Sequence, residues 1–87
     1  MEKLLLNIYS IEKVLFSGYV SSVTFPNELG RFTILPKHAP IISTLVAGII
    51  SFEPIQKGVN QSVVNEIKIE SGFIEMNEDV VTVCVVL

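Results

Sequence analysis

Branched aliphatic residues occur in short runs separated by turn residues, and this pattern restricts the folds open to the chain. Twelve Val and eleven Ile are present among 87 residues, and their side chains suit the pleated surface of a sheet. No window of about ten residues shows the 3.6-residue period of an amphipathic helix. The pattern predicts strands over residues 4–10, 14–19, 21–25, 31–35, 41–46, 49–55, 63–70, 73–76 and 80–86.

The predicted strands indicate an all-β chain. Short strands joined by closely spaced turns predict a two-layer antiparallel β-sandwich of about nine to ten short strands. One domain is expected over residues 1–87. Parallel pairing is not expected, because a parallel crossover needs a dozen or more residues, usually helical. The polar segment 56–62 is expected to be a mobile loop.

The last predicted strand, VVTVCVVL, shows no alternation of apolar and polar residues. A strand of this kind is typically covered on both sides. The single cysteine, Cys84, is therefore expected to lie in the core.

Charge and the scarcity of reactive residues exclude several functions. The net charge is −3 and the six basic residues do not cluster, so no nucleic-acid surface is expected. One His and one Cys are too few for an ordinary zinc site. A serine triad would depend on His38 and Asp79, the sole Asp, or on a Glu in its place. We expect no catalytic residue, no metal, no cofactor and no small-molecule substrate.

Apolar residues are abundant without forming a membrane segment. They make up 49% of the chain, yet no run approaches the ~18 apolar residues of a membrane helix. The N-terminal stretch lacks the features of a signal peptide. The excess of apolar residues suggests that a partner covers part of the surface.

The segment GRFTILPKHAP, residues 30–40, contains two prolines and the only histidine. Pro36 and Pro40 fix their own φ angles and lack an N–H group, which predicts a stiff corner outside the middle of a sheet. Two interpretations of His38 remain open. Its ring stabilises the corner by bonding to neighbouring carbonyl groups, or it contacts a partner.

An ordered series of motifs resembles one known family. The motifs are LNIYSIEKVLFSGYVSSVTFP, GRFTILPKHAPIIS, LVAGII, IESGFIEM and DVVTVCVV. The chain resembles the N-terminal β-sandwich domain of the epsilon subunit of F-type ATP synthases, along essentially its whole length. The pattern G-x-F-x-I-L-P-x-H-A-P is the most specific of the series.

The resemblance implies two antiparallel sheets and a non-catalytic place in the central stalk, or rotor. There the subunit binds the gamma subunit and the c-ring and couples proton translocation to ATP synthesis. It implies that Ser10, His38 and Ser43 face the gamma subunit. The residues implied to face the c-ring are Asn27, Glu28, Leu29, Gly30, Arg31 and Phe32. The implied location is peripheral, on the cytoplasmic face of the bacterial plasma membrane, with an organelle-encoded plastid protein as the alternative.

The chain departs from the family pattern at several positions. Arg31 stands where many members have an acidic or small polar residue, so it either shifts the charge pairing with the c-ring or is a solvated turn residue. Thr33 and Lys37 stand where glycine is common, so the corner is expected to avoid positive φ. Many relatives continue beyond the position of Leu87 into a helical hairpin that binds ATP or inhibits hydrolysis. The resemblance therefore implies the structural coupling role alone.

A small β-sandwich carrier or interaction module unrelated to ATP synthase is the alternative function. A biotinyl or lipoyl carrier needs a modifiable lysine at a hairpin tip, and Lys37 lies instead between Pro36 and His38. A cupin-like enzyme would need further metal ligands. An adhesion domain would commonly have a signal sequence and a cysteine pair.

Overall fold

The computed structural model describes residues 2–55 and 63–87, which form eight strands and no helix. The predicted loop 56–62 lies outside the described residues. The all-β prediction is confirmed, with eight strands in place of nine to ten, and no described helix could cross a membrane. The strands are β1 (Leu4–Tyr9), β2 (Val14–Asn27), β3 (Gly30–Ile34), β4 (Ile41–Leu45), β5 (Gly48–Pro54), β6 (Asn65–Ile69), β7 (Ser71–Asn77) and β8 (Val80–Val86).

Strand β2 connects the two layers of the sandwich. The sequence predicts two strands here, 14–19 and 21–25, whereas the structure has one strand of 14 residues. Its first part pairs with β1, and its second part pairs with β3 and β5. The register against β5 shifts between Val20 and Ser22, and such a bulge bends a strand without ending it.

Hydrogen bonds join the strands into one sheet that curls over on itself. Its order is β4-β7-β8-β1-β2-β5-β6, with β3 also paired to β2. We call β4, β7, β8, β1 and the start of β2 the first layer, and β3, β5, β6 and the end of β2 the second layer. Both layers contribute side chains to one buried hydrophobic cluster. Between the layers, the rings of Phe16 and Phe52 are in contact, with their centroids 4.5 Å apart.

One strand pair contradicts the expectation of purely antiparallel pairing. Strands β1 and β8 are parallel, with Leu5 opposite Val80 and Tyr9 opposite Cys84. The stated requirement for a long crossover still holds, because the rest of the chain between β1 and β8 forms that connection. The prediction is wrong because β1 and β8, which are far apart in the sequence, are adjacent in the sheet.

Strand β8 also differs from its prediction, since it alternates. Val81, Val83 and Val85 are buried, whereas Thr82 and Cys84 are half-buried on the opposite side. Cys84 is therefore an outward-facing residue and the prediction that it lies in the core is wrong. Small side chains on the outer side hide this alternation in the sequence.

Two glycines allow the close backbone approaches on which this packing depends. A Cβ atom at position 72 would lie 2.5 Å from the carbonyl oxygen of Cys84, on the neighbouring strand β8. At position 48 it would lie 2.7 Å from Cβ of Pro26. Both contacts are far shorter than packed atoms allow, so each position requires glycine.

Candidate partner-binding surfaces

The outer side of the first layer carries many exposed apolar side chains beside a polar row of Asn7, Thr82 and Glu75. Strand pairing aligns Tyr9, Cys84 and Phe73 in one row across β1, β8 and β7. The side chains of Ile42 and Phe73 are 78% and 52% exposed. Apolar side chains this exposed on one sheet are typical of a surface that a partner covers. The residues of this surface, called the apolar face below, are Tyr9, Ile42, Phe73, Val80, Cys84 and Val86.

The outer side of the second layer is polar. Thr24 lies between Thr33 and Ser51 in the sheet, and the hydroxyl oxygens of Thr24 and Thr33 are 2.8 Å apart in a hydrogen bond. Glu66 pairs with Ser51 on the next strand. Polar side chains of this kind remain hydrated, so this side lacks the character of the apolar face. The residues of this polar face are Thr24, Thr33, Ser51, Glu66 and Lys68.

The turn between β2 and β3 is held in place by Asn27. Its Oδ1 accepts a hydrogen bond from the backbone N–H of Leu29 at 3.0 Å, which closes the turn. Its Nδ2 donates to Oγ of Ser43 at 2.8 Å and to the carbonyl oxygen of Thr44 at 3.3 Å. Leu29 is almost completely exposed at the tip of this turn. The turn is thus an ordered projection that carries an apolar side chain.

Arg31 extends across β2 to the neighbouring strand β5. Its Nη1 donates to the carbonyl oxygen of Ile49 at 2.8 Å, and its Nη2 donates to Oγ of Ser51 at 3.1 Å. Two donors of the guanidinium group are therefore bonded within the chain. The side chain is exposed but ordered against its own sheet, and the charge pairing of Arg31 with the c-ring remains a prediction.

The proline-containing corner joins β3 to β4 and lies outside the strands, as predicted. Lys37 has φ of 67°, so the expectation that this corner avoids positive φ is wrong at this position. The carboxylate of Asp79 accepts a hydrogen bond from the Lys37 N–H at 2.6 Å, and it stabilises this unfavourable backbone conformation. Glu2 lies 2.8 Å from Nζ of Lys37, and its hydrogen bond and charge raise the pKa of Lys37 above the ordinary value.

His38 is exposed within this corner. Its Nδ1 donates to the carbonyl oxygen of Ala39 at 2.7 Å, and its backbone N–H donates to the carbonyl oxygen of Leu35 at 3.2 Å. The bond to a neighbouring carbonyl group is the one that the sequence suggested. The other edge of the ring faces solvent, and contact with a partner remains a prediction.

The residues predicted to face the gamma subunit do not converge on one point. Ser10 follows the end of β1, where its N–H donates to the carbonyl oxygen of Lys13 at 2.9 Å. His38 lies near the beginning of β1, since Asp79, whose carboxylate is bonded to the adjacent Lys37, accepts a bond from Leu5 N–H at its carbonyl oxygen at 2.9 Å. Ser43 lies on the edge strand β4. The three residues thus surround the first layer, whose outer side is the apolar face.

The structure does join one residue from each predicted group, Asn27 and Ser43. Sequence reasoning missed this link, and it also missed the apolar face and the role of Asp79. The exposure of Phe73 could not be recognised, because strand 73–76 has apolar residues on both sides. Within residues 2–55 and 63–87, no three His, Cys, Asp or Glu side chains converge as metal ligands would.

A β-sandwich with exposed apolar residues on one outer side and a projecting turn is typical of domains that dock onto other proteins. Comparison with known families makes the assignment specific, because a model of the ATP synthase Delta/Epsilon chain β-sandwich domain matches residues 3–86. The chain belongs to this family.

Curated relatives agree with the family assignment. An ATP synthase epsilon chain of Leptospira borgpetersenii is 38% identical over 81 residues, which cover 93% of this chain and 59% of the relative. An ATP synthase epsilon chain of Nitratiruptor is 40% identical over 85 residues, which cover 98% of this chain and 62% of the relative. The chain therefore spans about three fifths of the length of these relatives.

Two solved structures share the fold. One chain belongs to the mitochondrial ATP synthase of Euglena gracilis, in a structure of OSCP, F1 and the c-ring. Its TM-score is 0.85 at 19% identity, with 100% of this chain and 52% of that chain covered. The other belongs to the central stalk and c-ring of the Tetrahymena thermophila mitochondrial ATP synthase. Its TM-score is 0.79 at 16% identity, with 99% of this chain and 65% of that chain covered.

Proposed function

We propose that this chain is a non-catalytic rotor subunit of the central stalk of an F-type ATP synthase. It binds the gamma subunit and the c-ring, and it couples proton translocation to ATP synthesis. The apolar face is the observation that carries the proposal, because a docking role requires such a surface and the family assignment supplies the partner.

The apolar face is the surface that binds the gamma subunit. Strands β1, β4, β7 and β8 contain a single charged residue, Glu75. Glu75 is exposed on this side, opposite Ile42 and Thr82. A low number of charges together with an aromatic residue such as Phe73 is typical of an interface. A stable interface buries about 800 Å² on each partner, an area that an outer side of four strands can supply. Ser10, His38 and Ser43 then lie at the rim of this contact.

The turn at residues 27–32 contacts the c-ring. The bonds of Asn27 keep the turn ordered before it meets a partner, which lowers the conformational entropy lost on binding. Leu29 supplies an apolar contact at its tip. Arg31 is held against β5, so it contributes charge near the contact and remains bonded to its own sheet.

Rigidity suits a subunit that transmits torque. Both layers contribute residues to one buried cluster, and a close-packed interior resists deformation.

The Leptospira and Nitratiruptor relatives are bacterial. We place the subunit at the cytoplasmic face of a bacterial plasma membrane, peripheral to it through the complex.

Co-expression with the gamma subunit of the same organism tests the proposal. A tag on the gamma subunit and size-exclusion chromatography would show whether the two chains elute together in equal amounts. A stable one-to-one complex is the expected result. Failure to bind the gamma subunit at micromolar concentration, in the presence of a folded chain, would contradict the proposed function.

A further inference from the structure

We propose that Asn27 is a positioning residue that locks the turn facing the c-ring onto the edge strand beside the gamma-binding surface. The inference rests on the proposed function. It concerns how the two partner-binding segments are joined inside one small subunit, and it assigns that link to the hydrogen bonds between Asn27 and β4.

The side-chain amide of Asn27 is bonded on both of its ends. Its Oδ1 accepts from Leu29 N–H at 3.0 Å, within the turn. Its Nδ2 donates to Oγ of Ser43 at 2.8 Å and to the carbonyl oxygen of Thr44 at 3.3 Å, on β4. One planar group therefore fixes the turn and the edge strand relative to each other.

The hydrogen bonds around Ser43 fix its hydroxyl as the acceptor in this link. Oγ of Ser43 accepts the bond from Asn27 and donates to the carbonyl oxygen of Thr44 at 3.0 Å, so the hydroxyl has both roles satisfied. A backbone bond from Val46 N–H to the carbonyl oxygen of Pro26, at 3.3 Å, also connects these segments. That bond lies behind the turn, whereas Asn27 supplies side-chain bonds from the turn itself to β4.

Strands β2 and β4 are not neighbours in the sheet order, so ladder hydrogen bonds do not hold the turn against β4. The β2–β3 ladder closes the turn, so without the side-chain link the tip of this hairpin could tilt as a unit away from β4. A tilting tip would lose entropy on meeting the c-ring and would transmit force poorly to the gamma-binding layer.

Two substitutions isolate the link from the fold of the turn. Asn27→Ser keeps an oxygen that can accept from Leu29 N–H, but this side chain is too short to reach β4. Ser43→Ala removes the nearer of the two acceptors on β4 and leaves the turn bond of Asn27 in place. Ser43→Thr retains the hydroxyl and serves as the conservative rescue.

Thr33→Val is the matched control. It removes a side-chain hydrogen bond of the same length, 2.8 Å, between Thr24 and Thr33, and it preserves the shape and the β-propensity of the residue. That bond lies on the polar face and joins only the neighbouring strands β2 and β3.

The experiment measures two affinities for the full chain and each variant. The first is for the purified gamma subunit, and the second is that of the resulting complex for c-rings in lipid nanodiscs. We expect Asn27→Ser and Ser43→Ala to weaken c-ring binding by about threefold to tenfold, as the loss of one ordering hydrogen bond predicts. For Asn27→Ser, the affinity for the gamma subunit stays within about twofold of the wild type. Thr33→Val stays within about twofold in both assays, and Ser43→Thr retains c-ring binding.

The double variant Asn27→Ser/Ser43→Ala should bind c-rings no more weakly than Asn27→Ser alone, because Asn27→Ser already removes the bond to Ser43. Additive losses in the double variant would overturn the inference, as would c-ring binding equal to that of Thr33→Val. Equal losses of affinity for both partners in Asn27→Ser would also overturn it, since they indicate general destabilisation. A wild-type chain that does not bind the gamma subunit would overturn the proposed function itself.

Discussion

The carboxylate of Asp79 accepts a hydrogen bond of 2.6 Å from the backbone N–H of Lys37, 42 residues away in the sequence. Lys37 adopts the left-handed conformation that favours glycine, with φ of 67°. Asp79 is itself left-handed in the turn between β7 and β8, with φ of 62°. The bond therefore joins two strained turns and orders the corner that carries His38.

Removing this carboxylate should destabilise the chain. We expect Asp79→Ala to lower the free energy of unfolding by about 1–2 kcal/mol, because it loses the bond and places Ala in a left-handed position. Asp79→Asn keeps an acceptor and tolerates positive φ, so it should retain most of the stability. Urea denaturation monitored by circular dichroism measures both.

Lys37→Gly provides the complementary test, since glycine adopts positive φ without steric cost. Added to Asp79→Ala, it should recover part of the lost stability. If Asp79→Ala were as stable as the wild type, or if Lys37→Gly lowered the stability of Asp79→Ala further, the proposed support of the corner by Asp79 would be wrong.

Gly72→Ala should destabilise the first layer. The added methyl group meets the carbonyl oxygen of Cys84 and the Cα atom of Val85, and backbone atoms in a sheet cannot move aside as a flexible side chain can. We expect a loss of about 1–3 kcal/mol in the free energy of unfolding, as for overpacked sites. Gly18→Ala is the control, since its methyl group meets only the ring of Phe16 at 3.3 Å. Equal urea midpoints for the two variants would contradict the account.

Phe73→Ser should weaken binding to the gamma subunit by about tenfold or more, because buried aromatic residues dominate interface energies. The matched control is Ile49→Ser, an exposed apolar residue of a strand in the second layer. That variant should bind within about twofold of the wild type. Titration calorimetry measures both affinities, and a larger loss for Ile49→Ser would assign the contact to the other layer.

Arg31→Ala should act through the fold of the second layer. It removes the bonds to Ile49 and Ser51, and we expect the free energy of unfolding to fall by about 1 kcal/mol. Arg31→Lys retains a charge but cannot reproduce the planar fork of donors, so it should be destabilised as well. Unchanged stability in Arg31→Ala together with lost c-ring binding would favour direct charge pairing instead.

Local pattern was sufficient to predict strands such as β1, where Leu4, Leu6 and Ile8 alternate with residues on the outer side. The local pattern could not predict that Cys84 points outward, because the outer side of β8 carries valine, threonine and cysteine, of which only threonine is polar. Hydrophobicity alone does not distinguish a core from a surface that a partner covers.

Contacts between distant segments could not be predicted for a different reason. The bond from Asn27 to Ser43 depends on the bend of β2 at its register shift. The positive φ of Lys37 depends on an acceptor from another hairpin. Local sequence preferences concern single residues and their neighbours in the sequence. The Asn27–Ser43 bond and the positive φ of Lys37 instead require distant segments to be packed together in the folded sandwich.

The central claim is that the apolar face binds the gamma subunit, and Cys84 gives the most direct measurement. It is the only cysteine of the chain, and strand pairing places it between Tyr9 and Phe73 in that face. The rate of Cys84 alkylation can be followed by mass spectrometry with and without a cysteine-free gamma subunit. We predict that binding slows alkylation by about tenfold or more, because the interface core excludes solvent and reagent. An unchanged rate in a saturated complex would contradict the claim.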